Sequence, residues 1–146
     1  MYRASVLFVC IHNSARSQMA EAYLNHFGEE KFRGESAGLE PGILNPLVVE
    51  VMREDGIDIS RNIPKSVSQF LRSGRQFTYV ITVCDETAAE KCPVFPGKGE
   101  RIHWDFPDPS SFTGSREERL DRSRQVRDLI KAAVKRFVET TVVEKE

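Results

Sequence analysis

Val6-Leu7-Phe8-Val9-Cys10-Ile11-His12-Asn13-Ser14-Ala15-Arg16-Ser17 is the stretch that decides how this chain reads. Its first four residues are a continuous apolar run, the pattern of a parallel strand buried on both faces. Polar residues follow at once. From Arg16 the apolar positions take up helical spacing. Met19, Tyr23 and Phe27 recur every fourth residue, Ala20 and Leu24 lie beside them, and Gly28 is a natural stop. The stretch is thus a buried strand, a short loop and a helix, with a cysteine where the strand ends and an arginine where the helix begins. The free amides and the dipole of a helix N-terminus favour anions. Arg16 adds a planar fork that can engage two oxyanion oxygens at once. Ser17 can donate to the Cys10 sulfur. The same donors would hold the thiol as a thiolate, which is the nucleophilic form. One segment therefore predicts both a tetrahedral oxyanion and a nucleophile.

Working outward, Phe32–Ser36 reads as a second strand, ended by Ala37-Gly38. Asn45-Pro46 opens a second helix, with Asn as N-cap and Pro at the first helical position. Its apolar face is Leu47, Val48, Val51 and Met52, and Gly56 ends it. Ser66–Leu71 reads as a short helix with Val67, Phe70 and Leu71 inward. Phe77–Val83 is a further buried strand, β-branched and aromatic, and Glu100–Trp104 an edge strand. Ser115 and Glu118 predict a capping box for the last helix, whose buried face is Val126, Ile130, Val134 and Phe137. The tail after Glu139 is expected to fray. This order implies an α/β fold with a mainly parallel sheet.

The chain has 146 residues, and residues 1–146 read as one domain. Charged residues make up 29% and nearly balance, at a formal net charge of −1. A nucleic-acid partner would call for a basic excess. No apolar run approaches bilayer length, and the run Val6–Ile11 is too short for a signal-peptide core. A cytoplasmic protein, a monomer without membrane or nucleic-acid partners, is the expectation. Three cysteines, Cys10, Cys84 and Cys92, are an odd number and suit reactive thiols in a reducing compartment rather than a disulfide framework. Three histidines without paired metal-ligand spacing predict no metal site.

Taken together, Val9 to Ala22, Ser36-Ala37-Gly38, Asn45-Pro46, Gly56-Ile57-Asp58-Ile59-Ser60 and Asp108-Pro109 resemble, in order, the motifs of the low-molecular-weight protein tyrosine phosphatase superfamily. Arg16-Ser17-Gln18-Met19-Ala20-Glu21 is closer to the arsenate reductase branch. The resemblance runs from Val6 to the last helix. It implies a flavodoxin-like, four-stranded parallel sheet flanked by helices. It also implies an oxyanion (arsenate, phosphate or sulfate) held by Ile11, His12, Asn13, Ser14, Ala15 and Arg16, and an acid at Asp108. On the residues alone, Asp108-Pro109 reads as a simple turn rather than an acid.

Cys84 directly follows the strand Phe77–Val83, at the sheet edge where Cys10 also lies and where open α/β sheets bind ligands. Cys92 lies eight residues further on. If the intervening segment is helical, about 12 Å separate the two Cα atoms at ~1.5 Å per residue. A disulfide needs roughly 4.4–6.8 Å, so pairing requires that segment to unwind or fold back. The arsenate reductase resemblance implies a relay: Cys10 attacks arsenate, Cys84 attacks the adduct, and Cys92 attacks Cys84. Thioredoxin, or glutaredoxin with glutathione, then reduces the Cys84–Cys92 disulfide. No cofactor is implied.

Some arsenate reductases bind potassium through Asn13, Glu21, Ser36 and an acidic residue. Here a gapless reading puts Lys65 at the acidic position, so its ammonium is expected to replace the cation. His12 stands where the family often has Gly, and Ala15 where it often has Cys. The rival enzyme reading is a phosphatase that hydrolyses phosphoesters through a Cys10 phosphoenzyme. Against it, Ser110-Ser111 replaces the aromatic residue usual after Asp-Pro in that branch. A third reading is a non-catalytic oxyanion-binding regulator, which would need no thiolate. The candidate catalytic set is Cys10, Arg16, Ser17, Cys84, Cys92 and Asp108.

Overall fold

The apolar run at the N-terminus becomes an inner strand of the sheet. The structure, a computed structural model, describes residues 3–85 and 90–143. In chain order the elements are β1 (Ala4–Cys10), α1 (Arg16–Phe27), β2 (Phe32–Gly38), α2 (Pro46–Glu54), α3 (Val67–Arg72), β3 (Tyr79–Thr82), β4 (Glu100–His103), a 3-10 turn (Pro109–Ser111) and α4 (Arg116–Thr140). The sheet has four strands in the order β2-β1-β3-β4, all pairs parallel. This is the flavodoxin-like arrangement. The chain moves outward from β1 first to β2 and then to β3, so the switch point lies between β1 and β3. Cys10 ends β1 there, opposite Gly38 of β2, and Val9 pairs with Thr82 of β3.

Alternation along β1 divides the interior into two layers. Ala4, Val6, Phe8 and Cys10 join the core formed with α1, α2 and α4. Leu7 and Val9 join a smaller one with Val67, Phe70, Phe77, Cys92 and Phe95. Phe137 of α4 is the hub of the larger layer, with ring centroids 5.0 Å from Phe32, 5.3 Å from Tyr79 and 5.9 Å from Trp104. The outer edge strand β2 is closed by a side chain. Asn25 accepts from the Gly34 N–H at 2.7 Å and donates to its carbonyl at 3.0 Å, standing in for a neighbouring strand.

Several expected boundaries shift. β2 runs on through Gly38, because each residue to that point pairs with β1. The strand expected over Phe77–Val83 is Tyr79–Thr82, flanked by backbone bonds to β1 from the Thr78 N–H to the Ser5 carbonyl (2.9 Å) and from the Val83 N–H to the Val9 carbonyl (2.8 Å). Leu47 is only half-buried, and Val48, Val51 and Met52 alone carry the buried face of α2. The capping box expected at Ser115 is half formed. The Ser115 hydroxyl accepts from the Glu118 N–H at 3.1 Å, but the Glu118 carboxylate takes that hydroxyl rather than the backbone. A full capping box forms at Ser66 and Gln69 instead, at the start of α3. Beyond α4, Val143 packs against the larger core while Val142 is exposed. The helical expectation between Cys84 and Cys92 falls on residues 86–89, outside the described residues. No described helix is long and apolar enough to cross a membrane.

The end of α2 is fastened to α1 and α4 by ions. Asp55 accepts from the fully buried Tyr23 hydroxyl at 2.7 Å and from the Lys131 ammonium at 2.9 Å. Lys131 first, and Tyr23 next, hold the Asp55 carboxyl below its usual value. A carboxyl lowered by folding stabilises the fold above its ordinary pKa of about 3.9, and that contribution fades as pH falls through the lowered value. Asp55→Asn is therefore expected to cost about 1–2 kcal/mol at neutral pH. The gap to wild type should narrow in acid, which urea denaturation at pH 7 and pH 3 will measure.

Candidate active site

The loop after β1 is shaped by its outward-facing carbonyls. Cys10, Ile11, His12 and Ser14 each offer a carbonyl to the segment that follows β2. The donors are the N–H groups of Leu39 (3.1 Å), Glu40 (2.8 Å), Gly42 (2.9 Å) and Asn45 (2.9 Å). In a trans peptide the next residue's N–H points opposite to the carbonyl. Fastening these carbonyls on the outside thus turns the amides of Ile11, His12, Asn13 and Ala15 inward. The Asn13 amide shows the result, donating to the Cys10 sulfur at 3.1 Å. Asn13 sits at φ 53°, in the left-handed region that Asn tolerates better than most residues. The residue before α1, Ala15, provides no side-chain cap for the helix-start amides.

A second donor reaches the sulfur. Ser17 Oγ lies 2.8 Å from Cys10 Sγ and accepts from Asn13 Nδ2 at 2.7 Å. Because that hydroxyl oxygen is already an acceptor, its own hydrogen is free to point at sulfur. Two donors thus converge on Sγ. Asn13 is held in turn: its Oδ1 accepts from the Lys65 N–H at 2.9 Å and from Gln18 Nε2 at 3.1 Å. Gln18, fully buried, accepts at Oε1 from Asn62 Nδ2 at 3.0 Å. The chain Cys10–Ser17–Asn13–Gln18–Asn62 is consistent in its donors and acceptors at every link.

Arg16 is 5% exposed. Its Nη1 donates to the Phe106 carbonyl at 3.1 Å, and its Nη2 lies 3.7 Å from Asp108 Oδ2. Asp108 caps the 3-10 turn by accepting from the Ser110 N–H at 2.9 Å. It is thus both the turn residue its sequence suggested and a carboxylate brought to the loop. His12 is exposed and bonds through Nδ1 to the Glu40 carbonyl at 2.8 Å. A carbonyl only accepts, so Nδ1 carries the hydrogen. Ile11 and Ala15 pack against the larger core.

The three thiols are free and buried. Cys84 joins Cys10 in the larger core cluster, at the neighbouring strand end. Burial pushes its thiol up to about 11, partly countered by the Arg16 cation. Cys92 lies in the smaller cluster, and burial raises its thiol too, against the pull of Arg101. The structure thus brings Cys10, Arg16, Ser17, Cys84 and Asp108 together and puts Cys92 in the other layer. At the expected cation position, the Lys65 ammonium lies 3.7 Å from Glu21 Oε1, which also accepts from Ser36 Oγ at 3.0 Å. Among the described residues no group of three or more His, Cys, Asp or Glu side chains is placed to hold a metal ion.

The sequence profile of the low molecular weight phosphotyrosine protein phosphatase family matches residues 5–146. The chain belongs to that family. An arsenate reductase of Shouchella clausii is 41% identical over 140 residues, spanning 96% of this chain and 99% of the relative. The crystal structure of an arsenate reductase from Archaeoglobus fulgidus superposes with a TM-score of 0.73 at 32% identity, over 92% of this chain and 98% of that one. A thioredoxin-dependent arsenate reductase of Corynebacterium glutamicum gives a TM-score of 0.61 at 28% identity, over 90% of this chain and 62% of that one.

Three contributors to this phosphatase-family loop escaped the sequence reading. Gln18 stands inside a motif whose chemical signal lies in its neighbours Arg16 and Ser17. Asn62 carries no sequence signal of its own. Gly38 reads in the sequence as a strand terminator, yet a Cβ there would lie 2.7 Å from His12 C and 2.8 Å from Asn13 N. Only glycine lets β2 pass so close behind the loop. Gly38→Ala should displace the loop and weaken inorganic phosphate binding by at least about tenfold, the equivalent of a ~1.4 kcal/mol overpacking cost. Isothermal titration with phosphate will measure the change.

Proposed function

We propose that this chain is a cytoplasmic, monomeric arsenate reductase spanning residues 1–146, with Cys10 as nucleophile and Cys84 and Cys92 as a thiol relay. The observation that carries the reading is Cys84. A second buried thiol shares a core cluster with Cys10 at the adjoining strand end, within the field of Arg16. A phosphatase has no use for it.

The geometry and ordinary thiol chemistry support the following steps. Arsenate is held by the inward amides of Ile11, His12, Asn13 and Ala15 and by Arg16, where Coulomb attraction in a water-poor loop is strong. The Cys10 thiolate forms a bond to arsenic as an arsenic–oxygen bond breaks, and Asp108 supplies the proton with which that oxygen leaves as water. The Cys84 sulfur then attacks Cys10. The electron pair of the sulfur–arsenic bond passes to arsenic, which departs as arsenite, and a Cys10–Cys84 disulfide remains. Cys92 attacks Cys84 and frees Cys10 as thiolate. Overall, arsenate and two thiols become arsenite, water and one disulfide. A thioredoxin-type dithiol reduces Cys84–Cys92 and returns the chain to its starting state.

Cys92 begins in the opposite layer, so the last internal step requires it to leave the cluster of Phe70, Phe77 and Phe95. Ser17 and Asn13 serve as thiolate donors in this scheme, and His12 braces the loop from outside. No cofactor is needed. Lys65 takes the place of a monovalent cation beside Glu21, its ammonium offsetting the carboxylate that burial pushes toward its neutral form.

Two outcomes are expected. With thioredoxin, its reductase and NADPH, wild type should show arsenate-dependent NADPH oxidation. Cys92→Ala should make one arsenite per chain and then stop, and a variant that cycles like wild type removes Cys92 from the mechanism. Replacing sodium by potassium at fixed ionic strength should leave kcat/KM unchanged in wild type, whereas Lys65→Ala should become potassium-stimulated. A wild type strongly activated by potassium would contradict the role given to Lys65.

A further inference from the structure

Asn45 meets three parts of the site at once. Its backbone N–H donates to the Ser14 carbonyl of the oxyanion loop at 2.9 Å. Its Oδ1 accepts from Leu47 N–H at 2.9 Å and Val48 N–H at 3.4 Å, capping α2. With Oδ1 committed to two amides, the side-chain nitrogen must face the other way, and it donates to Ser110 Oγ at 3.1 Å. Ser110 is the residue whose N–H is held by the Asp108 carboxylate.

The Ser111 N–H (3.0 Å) and hydroxyl (2.7 Å) hold the Asp108 carbonyl within its own turn, but they do not tie that turn to the oxyanion loop. Asp108 caps a three-residue 3-10 turn, and its carboxylate meets the start of α1 through Arg16, at 3.7 Å. An arriving oxyanion competes for the Arg16 cation and loosens that contact. The Asn45–Ser110 bond is between neutral groups that an oxyanion in the loop does not need, so it survives binding. We propose that Asn45, acting through Ser110, is a positioning residue that keeps Asp108 at the oxyanion loop while substrate is bound. The proposal rests on the reading of Asp108 as the proton donor.

The test uses Ser110→Ala, Ser110→Thr and Asn45→Ser. Serine retains an N-cap at position 45 but is too short, and lacks the amide donor, to reach Ser110. Reduced protein is mixed with saturating arsenate without external reductant, and the rate of the single round of arsenite formation is measured. Inhibition by phosphate reports the loop alone, and thermal melting reports the fold. Ser110→Ala and Asn45→Ser should each slow the single round about tenfold, part of the ~100-fold or more that a positioned acid contributes. Phosphate inhibition should stay near that of wild type. Ser110→Thr should restore most of the rate, and Ser110→Ala should have no further effect in an Asp108→Asn background.

A wild-type rate in Ser110→Ala overturns the proposal. So does a parallel loss of rate and phosphate affinity in Asn45→Ser, which would place the effect of Asn45 on Ser14 rather than on Asp108. If wild type makes no arsenite but cleaves an aryl phosphate, the reductase reading fails by itself. The same variants are then scored on ester cleavage, which draws on the same carboxyl, with the same pattern supporting the positioning role and its absence refuting it. A wild type inactive in both reactions overturns both.

Discussion

The orientation of the peptide planes between Cys10 and Ala15 is the constraint on which the rest of this site depends. A loop of free peptides would point its amides in all directions. Here four carbonyls are tied outward to residues 39–45, and the amides have one direction left. That arrangement needs β2 to run parallel to β1 to its last residue, so that the chain leaving Gly38 passes alongside the chain leaving Cys10. It needs the missing side chain at Gly38, because the two backbones touch there. It also needs Asn13 in a left-handed turn, which its own side chain makes affordable through bonds to Ser17, Gln18 and Lys65. The anion site is thus a product of sheet register before it is a product of any charged residue.

Charge enters second, and burial makes it count. Arg16 is almost fully covered, and its neighbours within the protein are a carbonyl and a carboxylate. A buried cation without partners is costly, so the Phe106 carbonyl and Asp108 hold it in readiness at the loop mouth. The same cation bears on Cys84. A single guanidinium therefore links the candidate nucleophile's loop, the candidate acid and the second thiol. These three belong to segments that come together only because β1 and β3 are adjacent, with the Phe106–Asp108 segment following β4.

Much of this was legible because the relevant signals are local. The apolar run of β1, the period of α1 and the Asn45-Pro46 start of α2 each lie within a dozen residues and obey backbone rules that tertiary packing did not override. What was illegible is what depends on two distant segments meeting. Asn62 can be recognised as a partner of Gln18 only after the chain has folded across α1. Gly38 reads as punctuation until the loop behind it is known. The capping box fell at Ser66 rather than Ser115 because a carboxylate beside a free hydroxyl bonds to it directly, a choice between neighbours of similar energy that spacing does not decide. The family's motifs located Cys10, Arg16 and Asp108, but only coordinates put Cys92 on the other face of the sheet.

That separation bears on how a relay of three thiols can remain reduced and ordered. Side-chain alternation on β1 sends Cys10 into the larger core, where Cys84 joins it, while Cys92 packs among Phe70, Phe77 and Phe95 in the smaller one. Burial keeps Cys84 and Cys92 protonated near neutral pH, whereas Cys10 receives two donors at its sulfur. Only one of the three is thus presented as a nucleophile before substrate arrives. In the proposed cycle, a Cys10–Cys84 bond removes the Cys84 proton and leaves Cys92 as the one remaining thiol. Its attack must then draw it out of an aromatic cluster, so apolar packing opposes the final internal exchange until a disulfide exists to reward it. The order of the relay would follow from the protonation of the two buried thiols together with the side of the sheet that each sulfur occupies.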